Sequence, residues 1–402
     1  MNAVKRLYCR TFQIILRIAL PLLPYRNPGF LGKAEDVPDL LREKGLRRPL
    51  LVTDRTLRDL GLTRNLERVL RANGFPPAVY DGTRQNPTTR MAEEALTLYH
   101  QENCDCLIAF GGGSPMDCAK AVGARVSQPG MELKEMAGIL KVRHKTPPMI
   151  AIPTTAGTGS ETTLAAVIVD EESRHKYVIN SFPLIPDYAV LDASTVHSLP
   201  HAVAAATGMD ALTHAVEAYI GRSTTKGTRA DAVRAVKLVF ENIEAAAAHE
   251  TIQAEQNMLM AAHLAGRAFS RSYVGYVHAV SHSLSGQYDM PHGLTNAILL
   301  PKVLELYGAA AYRKLARLSV SAGLGGEGED EETTAKRFIR SVYEMNARLG
   351  IPDHIEGIRE EDIDRLAAYA DREANPLYPV PVLWDREQLK MIYRKAAEPY
   401  GG

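Results

Sequence analysis

The chain has 402 residues, which is too many for a single hydrophobic core, so its length predicts two domains. Basic and acidic residues number 47 each, and this zero formal net charge gives no electrostatic reason to expect a nucleic-acid partner. The cysteines form no Cys-x-x-Cys pair, which is typical of a reduced, cytoplasmic protein; they are Cys9, Cys104, Cys106 and Cys118.

The N-terminal segment combines an apolar run with basic residues. Residues 12–23 read FQIILRIALPLL, and the basic residues around them are Lys5, Arg6, Arg10 and Arg17. The run is too short for a transmembrane helix, which needs about 20 apolar residues, and no small-x-small cleavage site follows it. Two interpretations of residues 1–25 stay open: a helix packed on the domain or on a second subunit, and a basic amphipathic helix on a membrane surface.

Further along, short apolar runs alternate with helical stretches. Strands are predicted at 50–54, 78–82, 106–110, 149–153 and 188–192, with a hairpin over 165–181 whose turn is Asp170–Ser173. Strands that alternate with helices form a parallel sheet. After about Pro200 the spacing is helical. The sequence thus predicts an α/β nucleotide-binding domain with a parallel sheet at 28–198, an all-α metal-binding domain at 199–402 and an N-terminal extension at 1–27.

Two loops after predicted strands suit a phosphate or a ribose. Gly111-Gly112-Gly113-Ser114 joins a strand to a helix, where glycines allow close backbone approach and the helix N-terminus offers free N–H groups. Residues 153–161, PTTAGTGSE, present small hydroxyls after another strand. The first loop lacks the GxGxxG pattern, so a tight turn without a ligand stays open as an alternative.

Two polar positions in the first domain also have two interpretations each. Asp54 closes a strand, where it could accept hydrogen bonds from an adenosine ribose and repel a 2′-phosphate. It could equally cap a helix that begins near Thr56. Residues 86–88, Asn-Pro-Thr, could likewise cap a helix or contact a ligand.

Acidic and histidine residues recur at helical spacing in the second half. Asp210 and His214 are four residues apart, as are His278 and His282, and His292 follows. Residues four apart lie on the same face of a helix, so a carboxylate and three imidazoles can converge on one point. Such a set suits Fe(II), and Zn(II) could also fill it. The alternative is a group of hydrogen-bonded polar residues without a metal.

The ordered motifs resemble those of the iron-containing (group III) alcohol dehydrogenases; they are LLVTD, NPT, FGGGSPMDCAK, IPTTAGTGSE, GMDALTHAVEAY, HAVSHSLSGQYDMPHG and NAILLP. The resemblance covers about Pro28 to the C-terminus. It implies the metal ligands Asp210, His214, His278 and His292, with His282 beside the nicotinamide as a proton relay. Together with Gly112, the implied NAD contacts are Asp54, Asn86, Gly113, Ser114, Asp117, Thr154, Thr155, Thr158, Thr163 and Lys176.

The predicted function is metal-dependent hydride transfer between NAD(H) and a small alcohol or aldehyde, in a homodimer or larger homo-oligomer, as the resemblance implies. A glycerol dehydrogenase or another polyol oxidoreductase is the first alternative. A dehydroquinate synthase would need a basic cluster for its phosphorylated substrate, and the sequence places none near the predicted ligands. A non-catalytic NAD- and metal-binding protein, recruited by its N-terminal helix, is the alternative from another class.

Overall fold

The structure is a computed structural model that describes residues 1–171 and 175–401. The helices are α1 Ala3–Ala19, α2 Val37–Lys44, α3 Arg55–Asp59, α4 Arg64–Ala72, α5 Thr89–Gln101, α6 Gly113–Ser127, α7 His201–Ile220, α8 Lys226–Ala247, α9 Ile252–Ser272, α10 Tyr276–Tyr288, α11 His292–Tyr307, α12 Ala309–Ser321, α13 Glu331–Arg348, α14 Glu360–Ala374 and α15 Arg386–Ala397. The strands are β1 Gly29–Leu31, β2 Pro49–Asp54, β3 Ala78–Thr83, β4 Cys106–Gly111, β5 Gly138–Ile139, β6 Met149–Pro153, β7 Ala165–Asp170, β8 His175–Asn180 and β9 Tyr188–Val190.

The chain divides into two compact units. One is Pro24–Ser198, and the other combines Met1–Leu23 with Leu199–Gly402. Helix α1 therefore groups with the helical part of the chain, although its sequence precedes the strands.

The first unit is built on a parallel sheet with the strand order β1-β9-β6-β4-β2-β3. Strands β4 and β6 are buried along their whole length, as expected for a sheet covered on both faces. Leu41 and Leu70 pack on one face, and Ala95 and Val122 pack on the other. Because the strands are parallel, β2, β4 and β6 all end at the same edge of the sheet.

The predicted hairpin is confirmed as an antiparallel pair. Strand β7 pairs with β8 with Val167 opposite Val178, and β5 adds to β8 in parallel. The predicted turn Asp170–Ser173 lies partly outside the described residues.

The second unit is helical, and α7 is its buried centre. Helix α7 packs against α8, α9 and α11, while α10 packs against α11 and α14. The stretch from Gly208 to Ile220 is buried all round, as expected for a helix that other helices enclose. Polar side chains on this part of α7 are therefore held in the interior. Across the described residues, no helix combines the length and apolarity that crossing a membrane requires.

Candidate active site

The predicted metal ligands lie on three helices of the second unit and face one another. Asp210, His214 and His278 each place a ligand atom within 4.8 Å of the others. His292 joins them, since its Nε2 lies 3.7 Å from Oδ1 of Asp210, and Nε2 of His278 lies 3.8 Å from the same oxygen. Ligands held at about 2.1 Å around a tetrahedral metal are roughly 3.4 Å apart, so this set is close to the spacing of a formed site.

The buried amide of Asn296 shows that these atoms suit a cation. Its Nδ2 lies 2.7 Å from Oδ1 of Asp210, 3.2 Å from Nε2 of His278 and 3.1 Å from Nε2 of His292. One positively polarised NH₂ group therefore faces three acceptor atoms, while Oδ1 of Asn296 is buried without a hydrogen-bond partner. Converging acceptors around one point are what a divalent cation requires, and three nitrogens with one carboxylate suit Fe(II) or Zn(II).

Glu217 orients one of these ligands. Its carboxylate lies 2.7 Å from Nδ1 of His278 and accepts hydrogen bonds from the backbone N–H groups of Gly275 and Val277, each at 2.8 Å. An N–H on Nδ1 leaves Nε2 of His278 as the atom available to a metal. Burial raises the pKa of Glu217 while these hydrogen bonds oppose the rise, and burial together with the neighbouring imidazoles holds the pKa of His278 well below its usual value.

Sequence reasoning missed both Glu217 and Asn296, although a signal for each was present. Glu217 follows Asp210 and His214 at positions i+7 and i+3 on one face of α7, and Asn296 is one turn after His292 on α11. Both residues stand inside the sequence motifs of these helices: the carboxylate of Glu217 could have been sought as a metal ligand by residue type, whereas the amide of Asn296 is a less usual one.

His282 lies beside the predicted ligands. Its ring stacks on that of His292 with centroids 5.0 Å apart, and its side chain is 40% exposed. Nδ1 of His282 lies 2.6 Å from Oε1 of Glu373, which also accepts a 2.7 Å hydrogen bond from the Tyr378 hydroxyl. Glu373 was not predicted from the sequence, because 91 residues separate it from His282 and no local spacing links the two.

The two predicted nucleotide loops of the first unit lie against each other. A Cβ atom at Gly112 would lie 3.4 Å from Oγ1 of Thr155, and one at Gly113 would lie 3.4 Å from Cγ2 of Thr158. Gly112 is the N-cap of α6, so the free N–H groups of its first turn belong to this loop. Thr154 follows β6 and donates its backbone N–H to the carbonyl of Gly111 at 3.1 Å.

Two predicted nucleotide contacts also hold the hydroxyl loop in place. Asp117 accepts 3.2 Å hydrogen bonds from the Ser160 hydroxyl and from the backbone of Val167. The buried Lys120 donates to Oγ1 of Thr163 and to the carbonyl of Ser160, both at 2.8 Å. No role was predicted for this lysine from the sequence. Burial lowers the pKa of Lys120 to about 8, against the attraction of Asp117 and then Glu161.

The remaining predicted nucleotide contacts also lie in the first unit, where several of them bond to other residues of the same unit. Oδ1 of Asp54 accepts a 2.8 Å hydrogen bond from the backbone of Leu57, so Asp54 caps α3. Lys176 donates to Oδ1 of Asn86 at 3.0 Å, which brings together two predicted contacts that are 90 residues apart. Thr88 caps α5, while Ser114 lies in the first turn of α6.

Family profiles match most of the chain. One described as "Iron-containing alcohol dehydrogenase" covers residues 30–193, and one described as "Fe-containing alcohol dehydrogenase family, C-terminal" covers residues 204–397. The chain belongs to the iron-containing alcohol dehydrogenase family. Membership confirms the predicted resemblance, the class of enzyme and iron as the family metal.

This iron-containing alcohol dehydrogenase is 37% identical over 357 residues to a 1,3-propanediol dehydrogenase of Klebsiella pneumoniae, which covers 88% of this chain and 92% of that protein. It is 35% identical over 342 residues to an NAD-dependent methanol dehydrogenase of Bacillus methanolicus, covering 84% and 90%. A solved 1,3-propanediol oxidoreductase matches with a TM-score of 0.89 and 35% identity over 92% of this chain and 99% of the other. These similarities confirm the predicted fold class, and the predicted NAD agrees with the cofactor named for the second relative.

Proposed function

We propose that this enzyme transfers hydride between NAD(H) and a small alcohol or aldehyde, with four residues as its iron ligands: Asp210, His214, His278 and His292. The observation that carries the proposal is the convergence of three acceptor atoms on the Asn296 amide. When bound, Fe(II) supplies a Lewis acid that makes an alcohol hydroxyl more acidic and an aldehyde carbonyl more polarised.

The side chains around these ligands orient groups and move a proton. Glu217 holds the His278 ring with Nε2 toward the ligand set. Glu373 holds the His282 ring through Nδ1, so Nε2 of His282 is left to exchange a proton with the substrate hydroxyl on one side and solvent on the other. The partial exposure of His282 supports this relay, because a buried ring could not pass the proton on.

We assign NAD to the sheet edge where β2, β4 and β6 end. The first-turn N–H groups of α6 suit its pyrophosphate. With one oxygen of Asp54 occupied as a helix cap, the other can accept from a ribose hydroxyl and would repel a 2′-phosphate. The full set of proposed contacts is Asp54, Asn86, Gly112, Gly113, Ser114, Asp117, Thr154, Thr155, Thr158, Thr163 and Lys176.

We also propose a cytoplasmic homodimer or larger homo-oligomer. The four cysteines support a reduced compartment, since all are buried and unbridged. The division of the chain between Ser198 and Leu199 supports a nucleotide-binding domain over 28–198 and a metal-binding domain over 199–402.

The deciding experiment combines elemental analysis of anaerobically purified protein with NADH oxidation on a panel of short aldehydes, with and without added Fe(II). Glycerol and 1,3-propanediol with NAD⁺ test the polyol alternative. We expect one metal per chain and iron-dependent turnover with NADH. Metal and NAD binding without turnover on any substrate would favour the non-catalytic alternative, and protein that takes up neither iron nor zinc would refute the proposed ligands.

A further inference from the structure

Helix α1 is attached to the second unit by its polar side. Gln13 is 3% exposed and donates to the carbonyl of Tyr378 at 2.7 Å, while its own backbone carbonyl accepts from the Ser223 hydroxyl at 3.1 Å. Arg10 donates to the carbonyl of Val380 at 2.9 Å, and Lys5 pairs with Asp371 at 2.8 Å. Hydrogen bonds and an ion pair therefore hold the helix in place.

The opposite side of α1 is apolar and exposed. At 100° per residue the exposed large apolar side chains of α1 fall within an arc of about 120° that is centred roughly opposite Gln13. They are between 57% and 79% exposed: Val4, Leu7, Tyr8, Ile14, Ile15 and Ile18. The arc continues to Leu22, which is 84% exposed. An amphipathic helix normally turns its apolar stripe toward the protein core, so this orientation indicates that something outside the chain covers the stripe.

The charges around α1 identify the covering surface. Helix α1 carries four basic residues and no acidic one; Lys5 and Arg10 are held by the protein, while Arg6 and Arg17 are exposed. A second copy of the chain would meet this stripe with the same basic helix, since a two-fold interface pairs a patch with itself, and like charges would then face each other. An anionic surface meets the same charges favourably.

We propose that α1 lies in the plane of an anionic phospholipid surface and holds the helical unit against it. Its 17 residues form a helix about 25 Å long, enough to lay the whole stripe along the boundary between headgroups and acyl chains. The exposed Arg6 and Arg17 lie within about 40° of Gln13 around the helix, and their long side chains can extend past the helix to lipid phosphates. This inference does not rest on the proposed catalytic function.

The test is co-sedimentation of the full chain with phosphatidylglycerol/phosphatidylcholine vesicles and with phosphatidylcholine vesicles alone. Ile15→Gln/Ile18→Gln removes apolar area from the stripe, and we expect it to weaken binding to the anionic vesicles by at least about tenfold. The matched control Leu60→Gln/Ile252→Gln changes residues that are each 67% exposed elsewhere, and it should bind like the parent. Thermal unfolding followed by circular dichroism checks that both variants keep the parent's fold.

A second variant tests the charge. Arg6→Gln/Arg17→Gln should weaken binding to anionic vesicles by roughly fivefold for each charge removed, with little change toward neutral vesicles. Failure of the parent chain to sediment with anionic vesicles would overturn the proposal, as would equal losses in the stripe variant and its control. Sedimentation velocity offers another way to overturn it. If the parent is an oligomer that does not bind vesicles, and Ile15→Gln/Ile18→Gln dissociates that oligomer, then the stripe is covered by a second copy of the chain.

Discussion

Oε2 of Glu217 lies 2.7 Å from Nδ1 of His278, and both side chains are almost completely buried. The carboxylate also accepts two backbone N–H groups at the start of α10, so it fixes both the tautomer of His278 and the position of the helix that carries it. Because the ring of a histidine held this way is already fixed, binding a metal through Nε2 costs no further rotational freedom of that ring. We therefore expect Glu217 to contribute to metal affinity without itself belonging to the proposed ligand set.

Glu217→Gln should weaken iron binding by about 10- to 100-fold. The amide oxygen of the introduced glutamine can still accept a hydrogen bond from His278 or from the backbone. Its NH₂ group, however, must then face an N–H donor that the carboxylate satisfies in the parent. Metal stoichiometry after dialysis against graded chelator measures the effect. An affinity equal to that of the parent would show that Glu217 only supports the fold.

Gly275→Ala should disturb the same carboxylate through the backbone. A Cβ atom at this position would lie 2.6 Å from Oε1 of Glu217, which its buried hydrogen bonds hold in place. We expect weaker metal binding and a loss of roughly 1–3 kcal/mol in the free energy of unfolding. Gly286→Ala is the control, inside the helix that Gly275 caps, because its Cβ would meet nothing within 4 Å; it should be neutral or stabilising by up to about 1 kcal/mol. Equal effects in the two variants would contradict the argument.

Two histidines one turn apart on α10 should give different phenotypes. His278→Ala should lose both metal and turnover, because it removes a proposed ligand from a buried set. His282→Ala should keep its metal and turn over more slowly, because this ring lies beside the set and bonds to Glu373. Elemental analysis and single-turnover rates separate the outcomes. Metal loss in His282→Ala would make that residue a ligand, whereas full activity in His278→Ala would remove the proposed site.

Lys120 should make the stability of the first unit depend on pH. Its pKa is lowered to about 8 in the folded protein, below the ordinary 10.5, so between these values the unfolded chain binds the extra proton. The lysine's charge therefore opposes folding below pH 8, and this cost disappears as the pH rises to 10.5. Between pH 8 and 10.5 the parent should therefore gain stability relative to Lys120→Met. The difference between their free energies of unfolding should change in the parent's favour by up to about 3 kcal/mol.

Urea unfolding at a series of pH values measures this difference. Lys145→Met, at an exposed position, controls for removing a lysine from the surface. A flat difference between the parent and Lys120→Met would mean that the four oxygens around the ammonium group keep Lys120 fully charged; they are Ser160 O, Ser160 Oγ, Thr163 Oγ1 and Ala165 O.

The features that could be predicted from the residues alone are those that depend on local periodicity. Apolar runs marked β2, β4 and β6, and glycines and small hydroxyls marked the loops after β4 and β6. The four-residue spacing placed Asp210 and His214 on one face of α7, because the helical repeat fixes that relation regardless of the rest of the fold.

Contacts between groups that are far apart in the chain depend on the tertiary fold. It paired His282 with Glu373 and Lys176 with Asn86 across 91 and 90 residues, and it placed the Asn296 amide among the predicted ligands. It also determines which side of α1 faces outward, whereas the sequence left open whether this helix packs on the domain or a second subunit or lies on a membrane surface. A repeat of 3.6 residues specifies that a helix has two faces, but which face is buried depends on the hydrogen-bond partners that the rest of the fold supplies, here the carbonyl groups of Tyr378 and Val380.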